Sequence, residues 1–228
     1  MPGAIAAIVS GMIILFCGGW ILAIPMLVFF ISGSLLSKLP ANRVAMEEKA
    51  KKPRDHFQVI CNGGVGCICI LLFFFTSDQH FIIAYFVSIA ISNSDTWSSE
   101  WGNYFQGKTF DVISYNPMQK GLSGGVSLQG TLFGILGAFA IALIYFLLYN
   151  ATFTSLVFIT LAGTSGMITD SIIGSLWQGK YSFQDTITEV RPAGHPQKTF
   201  KGFEWMTNDL VNLLSNLIIT IFFLLLYK

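Results

Sequence analysis

From Gly3 to Leu36 the chain carries no charged side chain. A run of that length is comfortable in only one solvent, because about 20 apolar residues already suffice to cross the hydrocarbon core of a bilayer as a helix. The rest of the chain repeats the pattern. Charged residues make up 11% of the 228 positions and hydrophobic ones 53%, whereas an ordinary soluble domain carries roughly 25% charged residues. The expected fold is an all-α polytopic membrane protein forming one integral membrane domain over residues 1–228. Barrel-type alternation is absent, and a lone chain in lipid satisfies its backbone hydrogen bonds by forming helices.

About seven transmembrane helices are expected, six if the first is incomplete. Segment one spans about Gly3 to Cys17 and is short. Gly18 and Gly19 separate it from segment two, Trp20 to Leu36. Segment three covers Phe57 to Phe75, four Phe81 to Trp97 and five Gly124 to Tyr149. Segment six ends near Trp177, and seven runs from Trp205 to Tyr227. The loops after segments two, four and six hold six, two and four Lys or Arg, twelve of the thirteen, while the tips after three and five hold none. By the positive-inside tendency those three loops are cytoplasmic, which places the N-terminus inside and the C-terminus outside. The expected location is the cell membrane, and no cleaved signal peptide is expected. Cys17, Cys61, Cys67 and Cys69 all lie in apolar stretches and read as buried small side chains. A net charge of +1 gives no footprint for nucleic acid.

Acidic residues within or beside spans are costly and need a reason to be there. Asp95 and Glu100 lie at the inner end of segment four in NSDTWSSEWG, with Ser99 between them. Asp170 lies about eight residues before the end of segment six, roughly 12 Å into the helix. Asn208, Asp209 and Asn212 open segment seven, Asn62 opens segment three, and Ser123 to Ser127 open segment five. With alternating span direction, all of these converge on one side of the membrane. Carboxylates at a shared depth repel one another and lose solvation unless Lys or Arg, shared protons or a metal ion relieves them. Oxygen ligands of this kind suit Mg²⁺, which keeps water and phosphate oxygens in its shell. Asp95, Glu100, Asp170 and Asp209 are the expected metal and catalytic residues.

Two glycine pairs, Gly63-Gly64 and Gly124-Gly125, are read as starting helices whose free N–H groups favour a phosphate, with close helix packing as the equal alternative. Their surroundings, NGGV with a later D-T-x-x-S and SGGV with a later D-S-x-x-G, also outline a faint parallel repeat. Lys120, Arg191, Lys198 and Lys201 are candidate phosphate clamps on the same side, although basic residues there also serve as topology signals and headgroup contacts. No P-loop motif occurs.

The runs GAIAAIVSG, NGGVG, SDTWSSEWG, GLSGGVSLQGT, TDSIIGSLWQG and GFEWMTNDLVN, in that order, resemble the transmembrane protein 19 family, also called domain of unknown function 92. That family includes the plant phytyl-phosphate kinase. The resemblance implies a membrane-embedded isoprenoid monophosphate kinase that transfers a phosphoryl group from a nucleotide triphosphate, CTP in the plant case, to a prenyl phosphate. It implies site carboxylates at Asp95, Glu100, Asp170 and Asp209, supported by Asn62, Ser127, Asn208 and Asn212. The rival readings are a transporter or flippase for a lipid phosphate or small anion, a CTP-dependent cytidylyltransferase, and a non-catalytic membrane protein.

Overall fold

The computed structural model describes residues 2–39, 56–183, 186–189 and 199–227. Among these, six helices carry the architecture: α1 (Pro2–Leu36), α2 (His56–Thr76), α3 (His80–Tyr104), α4 (Leu128–Leu148), α5 (Phe153–Trp177) and α6 (Asn208–Leu226). Five of them are long and apolar enough to cross a membrane. The exception, α3, is as long but more polar.

Helix α1 is folded into two arms at Gly19, whose φ of 77° lies where L side chains are strained. Its neighbours show that the arms run in opposite directions. Ser10 accepts a hydrogen bond from Cys67 Sγ and Phe16 meets Phe74, so the first arm runs alongside α2. Met26 is then back beside Gly63. Segments one and two are thus a helical hairpin, and all seven expected segments are helical.

Helix α3 is the centre of the bundle. Every residue from Ile82 to Ser94 is buried, because the other five helices surround it. The side chains of Ser92, Asn93 and Ser94 bond to neighbouring helices instead of to water. Asn93 Nδ2 donates to Gly137 O at 2.8 Å and Ser94 Oγ to Gly134 O at 2.8 Å, both on α4. Ser92 Oγ donates to Asn62 O on α2 at 2.7 Å, and Asn216 of α6 donates to Ser88 O and Ser92 Oγ. The two bonds to α4 cross where Gly134 and Gly137 let the backbones approach, the usual arrangement in lipid-embedded helix pairs.

The bundle has unlike ends. At the tip end the connections are short, passing through Gly19, Ser77 to Gln79 and Asn150 to Thr152. At the loop end the long connections contain small antiparallel sheets that the sequence pattern did not announce. Strand β1 (Phe110–Asp111) pairs with β2 (Gly125–Val126), and β3 (Lys180–Phe183) lies between β4 (Thr186–Thr188) and β5 (Thr199–Lys201). Three boundaries also move: α3 continues past Trp97 to Tyr104, α4 begins at Leu128, not Gly124, and α6 begins at Asn208, not Trp205. Helix α2 begins at His56, one residue from the expected Phe57, so Asn62 lies well inside it and does not open it. Consequently NGGV is helical while SGGV is turn and strand, and the two halves of the supposed repeat occupy different kinds of structure.

Candidate functional site

At the loop end the helices open around a polar cavity of about 500 Å³, within the roughly 300–1,000 Å³ range of small-molecule sites. Asn62 comes from α2, Asp95, Ser99 and Glu100 from α3, Ser127 from the start of α4, Asp170 from α5, and Asn208, Asp209 and Asn212 from α6. Gly124 and Gly125 line it as well. Asp170 stands seven residues before the end of α5, about 10 Å below the rim at the helical rise.

Asp170 is buried, and its Oδ2 accepts from Ser215 Oγ at 3.1 Å. Asn212 stands between α5 and α2. With its nitrogen toward α5 it donates to Asp170 Oδ2 at 2.8 Å; turned the other way it donates to Asn62 Oδ1 at 3.2 Å. The first orientation gives a buried carboxylate a second donor, which is the stronger demand. Asp95 repels both Glu100 on its own helix and Asp170 across the cavity.

The cavity wall also carries Glu189 and Glu204, two acids that sequence reasoning did not select, making six carboxylates among the described residues. Among the described residues that line it there is no Lys, Arg or His. Lys120 Nζ instead donates to Phe105 O, and Lys201 is exposed on β5. Arg191 and Lys198 lie outside the described residues, as do His195, Lys51, Lys52 and Arg54. Among the described residues no group of three or more His, Cys, Asp or Glu is close enough to hold a metal ion. Asp95, Glu100, Asp170 and Asp209 therefore share the cavity without forming a ready-made ligand set.

The glycine expectations divide. Gly63 packs toward Met26 and Gly64 toward Ile60, and neither lines the cavity. Their N–H groups lie inside a helix, already in the hydrogen-bond ladder. Gly124 has a φ of 86° and lies so close to Ser175 that a Cβ would come within 2.5 Å of it. This loop does not present a row of free donors. Ser123 N donates to Glu189, Gly125 N to Leu122 O, and Gly130 N to the capping Ser127 Oγ at 3.1 Å. Close approach of the loop backbone to α5 at Ser175 is what Gly124 provides.

The loop is fixed by residues far away in sequence. Lys180, buried on β3, donates from Nζ to Ser123 O at 2.7 Å. Burial pulls its ammonium below the usual lysine range, an effect that Lys201 reinforces and the charges of Glu189 and Asp111 oppose. Asp111 Oδ2 accepts from Ser175 Oγ at 2.6 Å, and its Oδ1 accepts from Ile113 N, Ser114 N and Ser114 Oγ. Burial pushes this carboxyl up, but the hydrogen bonds outweigh it and hold it at about 2. Gln178 also lines the cavity; it is buried, and its Oε1 has no hydrogen-bond partner among the described residues.

A family model described as integral membrane protein DUF92 matches residues 1–220. An uncharacterized membrane protein of Methanocaldococcus jannaschii is 34% identical over 78% of this chain and 74% of its own length. The protein PGR of Arabidopsis thaliana is 28% identical over 96% of this chain and 85% of its own. The chloroplastic protein VTE6 of the same plant is 28% identical over 82% of this chain, but the match spans only 53% of VTE6. No solved structure matches.

Proposed function

This chain belongs to the DUF92 family of integral membrane proteins, and from that premise we propose that it is a membrane-embedded kinase for a prenyl monophosphate, with a nucleoside triphosphate, CTP first among them, as phosphoryl donor. The carrying observation is that Asp95, Glu100, Asp170 and Asp209, from three helices, line one polar cavity at the loop end of an apolar bundle. The reading puts that end at the cytoplasmic face, where twelve of thirteen basic residues flank the spans.

A cavity with six carboxylates does not receive phosphates unless cations lower its charge. The oxygen donors present suit Mg²⁺, which typically takes one or two carboxylates and completes its shell with water and phosphate oxygens; one or two of Asp95, Glu100, Asp170 and Asp209 would hold it. When bound, the ion supplies the positive charge that phosphoryl transfer requires. Ser215 and Asn212 hold Asp170 in one orientation, and Ser127, Asn62 and Asn208 offer uncharged polar groups to the phosphates. In the reaction an oxygen of the prenyl monophosphate forms a bond to the γ-phosphorus of the nucleotide. The bond from that phosphorus to the β–γ bridging oxygen breaks, and the nucleoside diphosphate leaves. The attacking oxygen is already anionic near neutral pH, so no in-membrane histidine is required.

Purified protein in detergent, given γ-labelled CTP, Mg²⁺ and prenyl monophosphates of several lengths, should yield labelled prenyl diphosphate. Absence of transfer to any acceptor, alongside flux of a lipid phosphate or small anion in sealed liposomes, would replace the kinase with a transporter. A product that retains CMP with release of diphosphate would identify a cytidylyltransferase.

A further inference from the structure

Among the described residues, six large apolar side chains lie outside the spans and stay exposed at the loop end: Phe110, Ile113 and Tyr115 on one loop, Phe200, Phe203 and Trp205 on the other. Trp205 is 63% exposed and Tyr115 79%. Facing water, so much apolar area on two neighbouring loops is costly. We infer that these two loops lie in the lipid headgroup layer, so that the cavity opens into that layer and receives a phosphate carried by a bilayer-resident lipid.

Chain geometry supports the placement. Helix α6 has 19 residues, about 28 Å at the helical rise, against a hydrocarbon core of about 30 Å. Its first residue, Asn208, is therefore at the core boundary. Trp205 is three residues earlier, within about 10 Å of chain. The headgroup layer on each side is about 5–8 Å thick, by difference between the whole bilayer and its core. Phe203 stacks on Trp205 with ring centroids 5.7 Å apart, so the pair acts as one aromatic lip. Amphipathic rings favour this layer. Exposed Lys201, beside Phe200, can extend its ammonium to lipid phosphates while its stem stays with the apolar surface.

The same segment walls the site. Phe203 and Trp205 are exposed, whereas Glu204, Met206 and Thr207 line the cavity. One strip of chain thus presents a lipid-facing edge and a cavity-facing edge. Below it, Asp170 lies about 10 Å beneath the rim. A lipid phosphate at headgroup depth needs to descend only that far to reach the carboxylates, with its tail still in lipid. A free soluble phosphate gains nothing from such a rim.

The depth claim is independent of the proposed kinase activity, while the substrate claim rests on it, so the test has two arms. In the first, full-length Trp205→Cys and Tyr115→Cys variants carry a bimane label in phosphatidylcholine–phosphatidylglycerol vesicles. The ratio of quenching by shallow nitroxide lipids to quenching by aqueous iodide should be well above that of bimane-glutathione in the surrounding buffer at both sites. A ratio no higher than that reference at either site overturns the inference. In the second arm, Trp205→Ser should raise the KM for a long-chain prenyl monophosphate in vesicles severalfold and leave the KM for a short, water-soluble one unchanged. An equal rise for both acceptors overturns the lipid route. If neither acceptor is phosphorylated by the wild type, the kinase reading falls and the quenching ratio alone decides the inference.

Discussion

The two ends of this bundle are built from the same helices on opposite principles. At the tip end, connections are short and the chain ends of four helices meet through aromatic rings: Phe86 with Tyr145 at 4.9 Å, Tyr145 stacked on Tyr149, and Phe158 with Tyr227. At the loop end the same helices separate around carboxylates that repel one another. The tip end contributes cohesion, whereas the loop end is where stability has been given up for a polar cavity. Between them lies the hydrogen-bonded layer from Ser88 to Ser94 on α3, which lets a helix carry Asp95 at one end and an apolar surface at the other.

That division is broken most sharply by two substitutions of opposite kind. Asp170→Asn keeps size and hydrogen-bonding capacity but removes a charge from the site. Transfer should fall by about 10²-fold or more, the scale seen when one charge-stabilising group is removed, with little change in thermal stability. Tyr145→Ala should do the reverse. It deletes a largely buried ring packed on Phe86 and Tyr149 and should cost about 3 kcal/mol or more, as aromatic-to-alanine changes in cores do. Activity per folded molecule should be retained. A Tyr145→Ala protein that is fully folded but inactive would show that the ends are coupled.

What could be read from sequence follows the same boundary. The apolar segments, the Gly19 break and the convergence of in-span acids were legible, because in lipid each charged residue stands out against a uniform background and helix direction alternates. The glycine sites were only partly legible. The Gly63-Gly64 pair resembles a helix start by motif, but the apolar segment already begins at Phe57 and the backbone enters α2 at His56, which leaves the pair inside the helix. The loop end was least legible of all. Its fixing contacts join Asp111 to Ser175, Lys180 to Ser123 and Glu189 to Ser123, across 64, 57 and 66 positions of chain. Neither periodicity nor short motifs encode pairings that distant. Glu189 and Glu204 were passed over since they sit in a loop, where a carboxylate is ordinarily just solvated.

Asp111 provides an intermediate test, since its carboxylate fastens the loop that lines the cavity. Its folded value of about 2 lies below the ordinary aspartate value of 3.8. A depressed carboxyl contributes stability that is fully present above the unfolded value and is lost as pH falls through the folded one. The window is thus from about 4 down to about 2, and the contribution is on the order of 2 kcal/mol. Hydrogen exchange in residues 105–127 should accelerate across that window in the wild type. In Asp111→Asn the loop should exchange faster already at pH 7 and show no such step. An unchanged step in the variant would assign the acid sensitivity to another group.

The smallest expected effects are the most discriminating, because they come from matched caps on either end of the bundle. Ser127 Oγ accepts from Gly130 N at 3.1 Å at the start of α4, and Thr152 Oγ1 accepts from Ser155 N at 3.3 Å at the start of α5. Each hydroxyl satisfies one otherwise open helix-end donor, and replacement by alanine typically costs about 1 kcal/mol. Ser127→Ala and Thr152→Ala should therefore lower thermal stability by similar small amounts. Only Ser127 also lines the cavity, and the two variants should part there. Ser127→Ala should raise the KM for nucleotide or lipid phosphate, whereas Thr152→Ala, across the membrane from the site, should leave both unchanged. Equal changes in KM would mean that loosening either end reaches the cavity through α4 and α5, and that the bundle does not insulate its site from its anchor.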